Sequence, residues 1–187
     1  MRPTEELVTE HNAIKRMLRV LDEVARQLDA GTSVDAGDLE QMVGFIRGFA
    51  DRCHHAKEED LLFCAMEEAG IPRQSGPIGV MLHEHTVGRG YVRGMADGIA
   101  AYKAGEPGAA ARIAENARGY VALLTQHIYK EDNILYPMAD RALSAEKQAE
   151  LLEGFEQVER ERVGPGKHEE YHALLDRLEA TYTHAGQ

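Results

Sequence analysis

The sequence predicts an all-α fold: an up-down-up-down four-helix bundle with two additional C-terminal helices. Three observations lead there. Apolar residues recur at steps of three and four through four long stretches. Almost nothing alternates with a period of two, and β-branched content is low, so strands are missing from the pattern. The chain also repeats itself: His54-His-Ala-Lys-Glu58-Glu-Asp-Leu-Leu-Phe-Cys is echoed by His127-Ile-Tyr-Lys-Glu131-Asp-Asn-Ile-Leu-Tyr-Pro. Each copy follows a Glu-His pair, Glu10-His11 placed 43 residues before His54 and Glu84-His85 placed 42 before His127, as two helix hairpins would arrange them.

The first helix starts at Pro3 and Thr4, followed by two acidic residues, and carries Leu7, His11, Ile14, Leu18, Leu21, Ala25 and Leu28 on one face to about Gly31. The second is capped by Asp35 or Asp38. Leu39, Met42, Val43, Ile46, Ala50, Cys53, His54, Leu61 and Leu62 continue its stripe to Ala69, where Gly70 and Pro72 supply the stop. The third opens near Pro77 and places Ile78, Met81, Leu82, His85, Val92, Met95 and Ile99 on its apolar side until Gly105. The fourth opens at Pro107 and runs through Ile113, Ala117, Tyr120, Leu124, His127, Ile128, Glu131 and Leu135, with a kink or early end expected at Pro137. Ser144 caps a fifth helix, and Gly164-Pro-Gly166 breaks the chain before a sixth that carries Tyr171 to Tyr182. Residues 1–142 form the bundle in this reading, and residues 143–187 an extension packed on it. Gly90, Gly94 and Gly98 stack on the third helix although each costs about 1 kcal/mol of helix propensity. Close packing there by the C-terminal helices, or by a second copy in a homo-oligomer, is the expectation.

Acidic side chains outnumber basic ones 32 to 21 in the 187 residues, and no run of Lys or Arg marks a nucleic-acid surface. No stretch of about 20 apolar residues suits a membrane span, and the start lacks the apolar segment of a signal peptide. The expectation is a soluble cytoplasmic protein with no nucleic-acid or membrane partner. Cys53 and Cys64 fall on one helix roughly 16 Å apart, too far to bridge, and read as small buried residues.

Helical phase sorts the nine histidines. His11, His54, His85 and His127 fall within apolar stripes, as do Glu58 and Glu131; His55, Glu59, His83 and Asp132 are turned away. Buried carboxylates demand a counter-charge, and Lys57 and Lys130 project at neighbouring angles of the same helices. Four inward histidines with two inward glutamates are a ligand set for two metal ions. The candidate ligands are therefore His11, His54, Glu58, His85, His127 and Glu131.

At these residues the chain resembles the hemerythrin-like family of HHE cation-binding domains, from about Glu6 to Arg141. The most specific pieces are Glu10-His11, His54-x-x-Lys-Glu58-Glu with Leu62-Phe63, Glu84-His85 with Arg89, and His127-x-x-Lys-Glu131-Asp with Leu135-Tyr136-Pro137. The resemblance implies a non-haem di-iron centre, with Glu58 and Glu131 bridging two Fe ions and the four histidines as terminal ligands. Zinc or manganese would suit the same donors. The chain departs from the oxygen carriers in three places. Positions four from His85 are Met81 and Arg89, so one metal is expected to lack a histidine; phase favours Glu131 over Asp132; and Cys64 stands where the family has proline. His55, His83 and His168 are the candidates for a further ligand.

The implied function is binding or sensing of O2, NO or peroxide, or iron buffering; the alternative is a di-iron enzyme acting on peroxide or NO, or in iron-cluster repair. Tyr120, Tyr129 and Tyr136 are candidate neighbours of the centre. His168-Glu-Glu-Tyr-His172 matches the H-E-x-x-H zinc-protease string, but it lies on a short terminal helix without a third ligand and reads as a chance match.

Overall fold

The computed structural model describes residues 1–164 and 166–183, and all regular structure among them is helical. Helix α1 spans Pro3–Asp29 and opens on Pro3, with the Arg2 N–H donating to Glu5 Oε2 at 2.8 Å. Helix α2 begins with Ala36–Phe45, capped by Asp35, whose Oδ1 accepts from the Asp38 N–H at 2.9 Å. It then runs through the π-helical stretches Ile46–His55 and Glu58–Leu62 into Phe63–Glu68. Ile46, Ala56 and Phe63, at the joins, keep right-handed helical dihedrals, so α2 is one helix whose hydrogen-bond register changes along its length.

Helix α3 spans Pro77–Lys103. Helix α4 runs as Ala109–Lys130, a π-helical Glu131–Leu135, and Tyr136–Ala142. It starts two residues later than Pro107, after Gly108 at φ 78°, a dihedral that suits glycine. Pro137 neither ends nor breaks it. The π turn resets the register just before Tyr136, which puts Pro137 in a first-turn position where its missing N–H costs no bond. Helix α5, capped by Ser144, spans Ala145–Val158 and continues as Glu159–Val163; α6 spans Lys167–Tyr182. Of the expected glycine-proline break between them, Pro165 lies outside the described residues, while Gly164 and Gly166 both adopt positive φ.

Two apolar clusters form the core. One holds Ile14 to Leu28 of α1 with Val43, Phe49, Met95, Ile113, Leu124 and Ile128. The other holds Leu7, Leu62, Phe63, Met66, Ile78, Met81, Leu135, Tyr136 and Phe155. On every one of α1 to α4 the switch from one cluster to the other falls at the inward histidine or glutamate. A polar layer is thus enclosed between two hydrophobic ones. Helices α5 and α6 pack on α1 and α2: Phe155 and Leu151 join the second cluster, and Leu175 and Leu178 join the first. Arg16 of α1 donates to Glu179 and Asp176 of α6, and Tyr182 Oη donates to Asp38 Oδ2 at 2.7 Å. Among the described residues no helix is long and apolar enough to cross a membrane.

The C-terminal helices therefore do not cover the glycines of α3. A Cβ on Gly98 would lie 2.9 Å from Ile113 Cγ1, one on Gly94 would collide with Asn116, and one on Gly90 would meet open space. Close approach of α4 within the same chain explains Gly94 and Gly98, so they give no support to an oligomer contact. Replacing Gly94 by Leu should lower stability by about 1–3 kcal/mol. The measurement is a thermal melt together with solution mass: a lowered Tm at unchanged mass is expected, and an unchanged Tm would contradict the close α3–α4 packing.

Candidate metal centre

The six side chains singled out by phase meet in the polar layer, each fully or nearly fully buried. They fall into two groups of potential ligands that share Glu58: His11, His54, Glu58 and Glu131 on one side, and His55, Glu58, His85 and His127 on the other. Both carboxylates reach both groups. Glu131 Oε2 lies 3.2 Å from His11 Nε2 and its Oε1 lies 3.0 Å from His127 Nε2. Glu58 Oε2 lies 3.7 Å from His54 Nε2 and 3.4 Å from His85 Nε2.

His55 is a seventh member. It is 5% exposed, and its ring stacks on His85 at 3.8 Å between centroids. Helical phase at 100° per residue turns it away from the core, but Ile46–His55 is π-helical, and the wider turn rotates each residue less. Both His54 and His55 then face inward. Of the other two candidates, His83 is exposed, and His168 lies near Cys53 and Glu159. In the H-E-x-x-H string, Glu169 and His172 are exposed. Cys53 and Cys64 are both free.

Each of the five clustered imidazoles donates its Nδ1–H to a carboxylate. His54 donates to Glu10 at 2.7 Å, His127 to Glu84 at 2.9 Å, His11 to Asp132 at 2.6 Å, His85 to Glu59 at 2.7 Å and His55 to Asp51 at 3.3 Å. Every one of these carboxylates holds a cation: Lys57 on Glu10, Lys130 on Glu84, Lys15 on Asp132, and Arg89 on both Glu59 and Asp51. The repeat thus encodes two shells. In each half, the Glu before the first histidine orients the second histidine. The acid after the inward glutamate crosses to the first histidine of the other half. The signal was in the sequence, since Glu10/Glu84, Lys57/Lys130 and Glu59/Asp132 all recur. Their partners lie on other helices, tens of residues away in the chain.

In a neutral ring a bonded Nδ1–H leaves Nε2 as the bare nitrogen, and carboxylate–histidine pairs of this kind fix the tautomer that a metal requires. His85 Nε2 and His127 Nε2 face each other at 3.1 Å. Two lone pairs at that distance repel, so a proton or a metal ion must lie between them. His54 Nε2, Glu58 Oε2 and both Glu131 oxygens are buried without any hydrogen-bond partner. Such orphaned atoms are costly unless a metal takes them up, so the donor set fits a cation.

Titration behaviour follows from crowding. Burial, and then repulsion from Glu131, push Glu58 well above the usual carboxylate range. Burial also acts on Glu131, but His127 and His11 outweigh it and keep that group ionised. Burial lowers His55 to about 4 and, with the adjacent His55, lowers His85 to about 3. Burial alone would raise Glu10, yet its bonds to His54 and Lys57 hold it down at about 2. Tyr136 Oη donates to Glu58 Oε1 at 2.7 Å and stands 3.3 Å from His11 Nε2. Tyr129 is exposed, and Tyr120 is buried outside the cluster.

Four helices presenting histidines and glutamates to one buried layer define a cation-binding helical domain. The chain belongs to the hemerythrin HHE cation-binding family, whose model matches residues 2–139. It is also 28% identical over 160 residues to proteins of Mycobacterium tuberculosis and Mycobacterium bovis described as uncharacterized, an alignment covering 86% of this chain and 62% of theirs. The chain therefore spans less than two thirds of the length of these relatives. No solved structure matches it.

The cations of the outer shell are unequal. The Lys57 side chain is 0% exposed, bonded to Glu6, Glu10 and Glu159 at 2.6–2.7 Å and set 5.4 Å from the Phe155 ring, whereas that of Lys130 is 32% exposed. Lys57→Met should cost about 3–5 kcal/mol by stranding buried Glu10, and Lys130→Met about 1 kcal/mol or less. Chemical denaturation of the two variants checks the order; equal losses would contradict it.

Proposed function

We propose that this protein holds a dinuclear non-haem metal centre, two Fe ions in the working form, and uses it to bind or sense O2, NO or peroxide, or to buffer iron. The four long helices serve as an up-down-up-down bundle over residues 1–142, with residues 143–187 as an extension whose helices α5 and α6 pack on α1 and α2. The observation that carries the reading is the set of buried atoms without a hydrogen-bond partner, His54 Nε2, Glu58 Oε2 and both Glu131 oxygens, gathered beside the facing Nε2 atoms of His85 and His127. His11 and His54 would serve one ion, His55, His85 and His127 the other, with Glu58 and Glu131 between them. Two iron ions supply reversible one-electron chemistry and positions for a small ligand. The side chains contribute orientation through the five Nδ1–H bonds, exclusion of water by the two apolar layers, and a phenolic proton on Tyr136 held 2.7 Å from Glu58. A small cytoplasmic protein acting on diatomic or peroxide ligands fits this arrangement. Zinc or manganese would keep the coordination and change the chemistry.

The alternative is a di-iron enzyme acting on peroxide or NO, or in cluster repair. Tyr136, a proton donor within the layer, is the feature that favours it. Peroxide consumption and NO turnover by the iron-loaded protein separate the two readings: turnover abolished in Tyr136→Phe supports the enzyme, and stable ligand binding without turnover supports the sensor.

Anaerobic loading followed by metal analysis should give about two iron atoms per chain, and His54→Ala or Glu131→Ala should abolish at least one site. Protein that takes up no iron overturns the proposal. Glu10→Gln and Glu84→Gln should each weaken binding about 10–100-fold while leaving stoichiometry at saturation intact, because they remove only the group orienting a ligand.

Binding is also expected to depend on pH with a definite sign. The raised Glu58 must lose its proton to bind, so loading releases protons, and affinity falls as the medium is acidified through the range where Glu58 and the histidines take up protons. Competition titrations at pH 5 and pH 8 should show tighter binding at pH 8; the opposite order would contradict the ligand set.

A further inference from the structure

Between α2 and α3, with α4 behind, a cavity of about 290 Å³ opens beside the histidine cluster. Three arginines line it, Arg47, Arg89 and Arg93. In a chain of net charge −11, this is a local inversion of charge that focuses anions. The acidic residue in the lining, Asp51, is already neutralised, since its Oδ1 accepts from Arg89 at 2.6 and 2.8 Å and from His55 at 3.3 Å. Arg47 and Arg93 are exposed and have no acidic partner among the described residues.

Two further features narrow the occupant. Tyr120, 2% exposed, lines the cavity, and its hydroxyl has no hydrogen-bond partner among the described residues. The hydroxyl oxygen is not itself enclosed, so it is open to the cavity and can donate to an occupant. The remaining walls, Ile46 and Val92, are apolar. Guanidinium groups and a phenolic donor ask for an oxyanion; the apolar wall asks for a carbon skeleton attached to it. The volume suits about ten non-hydrogen atoms, at the small end of ligand pockets. The cavity is also specific to one half of the repeat: where the first half has Asp51 and His55, the second has Leu124 and Ile128, both buried.

We propose that this cavity is a binding site for a small organic carboxylate, held by Arg47, Arg93 and Tyr120 against Ile46 and Val92, next to His55. The site goes beyond the metal reading and does not require metal. Because His55 belongs both to the cavity lining and to the buried cluster, an occupant sits directly beside the candidate ligands.

The test is calorimetric titration of the full chain with sodium benzoate, both metal-free and iron-loaded, with benzyl alcohol and inorganic phosphate as comparisons. Benzoate should bind saturably at one site per chain in both forms, with the neutral alcohol and the skeleton-free anion each at least about tenfold weaker. The exposed pair Arg47→Ala/Arg93→Ala should weaken benzoate roughly tenfold, and Tyr120→Phe about fivefold, with thermal melts confirming that both variants fold. Benzoate that fails to bind, that binds no better than benzyl alcohol, or that is unaffected by the double arginine variant overturns the proposal. Iron uptake without benzoate binding sinks the carboxylate site alone, and benzoate binding without iron uptake sinks the metal reading alone.

Discussion

Burial of two carboxylates and five imidazoles in one layer of a helical core is the constraint on which the rest of the structure depends. Glu58 and Glu131 are wholly enclosed, and their free oxygens, together with His54 Nε2, are left without protein partners. Hydrogen bonds alone do not close this layer. Everything around it reads as a means of holding those groups in place until a cation joins them: hydrophobic clusters on both sides, carboxylates behind every imidazole, and a Lys or Arg behind every carboxylate.

The outer shell binds the two halves of the repeat to each other. Glu59 of the first half bonds His85 of the second, and Asp132 of the second bonds His11 of the first. The centre is therefore symmetric in its wiring, with Lys15 and Arg89 as equivalent end points. Its ligand set is asymmetric at one place. His55 joins His85 and His127, while the matching residue of the second half is Ile128, so two histidines stand on one side and three on the other. The cavity lined by arginines lies on the three-histidine side.

The π-helical stretches explain how the fold achieves this. Glu58–Leu62 and Glu131–Leu135 each begin at an inward glutamate, and Ile46–His55 ends at the extra histidine. Wider turns at functional positions are a recurrent device for re-aiming side chains. Here they bring adjacent histidines into one layer and let α4 carry Pro137 without breaking. The C-terminal helices act from outside. Glu159 of α5 completes the cage around Lys57, and Lys57 in turn holds Glu10 against His54.

The sequence by itself determined the helical class, the element order and the six inward residues of the layer, because apolar periodicity and an internal repeat are local properties written along each helix. It also marked Glu10, Glu59, Glu84 and Asp132 as repeated without saying what they touch. Only the tertiary structure decided that His55 turns inward, that α4 rather than the C-terminal helices fills the glycine face of α3, and that each imidazole has a carboxylate behind it. The physical reason is the same in all three cases. A straight-helix phase cannot anticipate a change of hydrogen-bond register, and contacts between residues tens of positions apart exist only once the helices have packed.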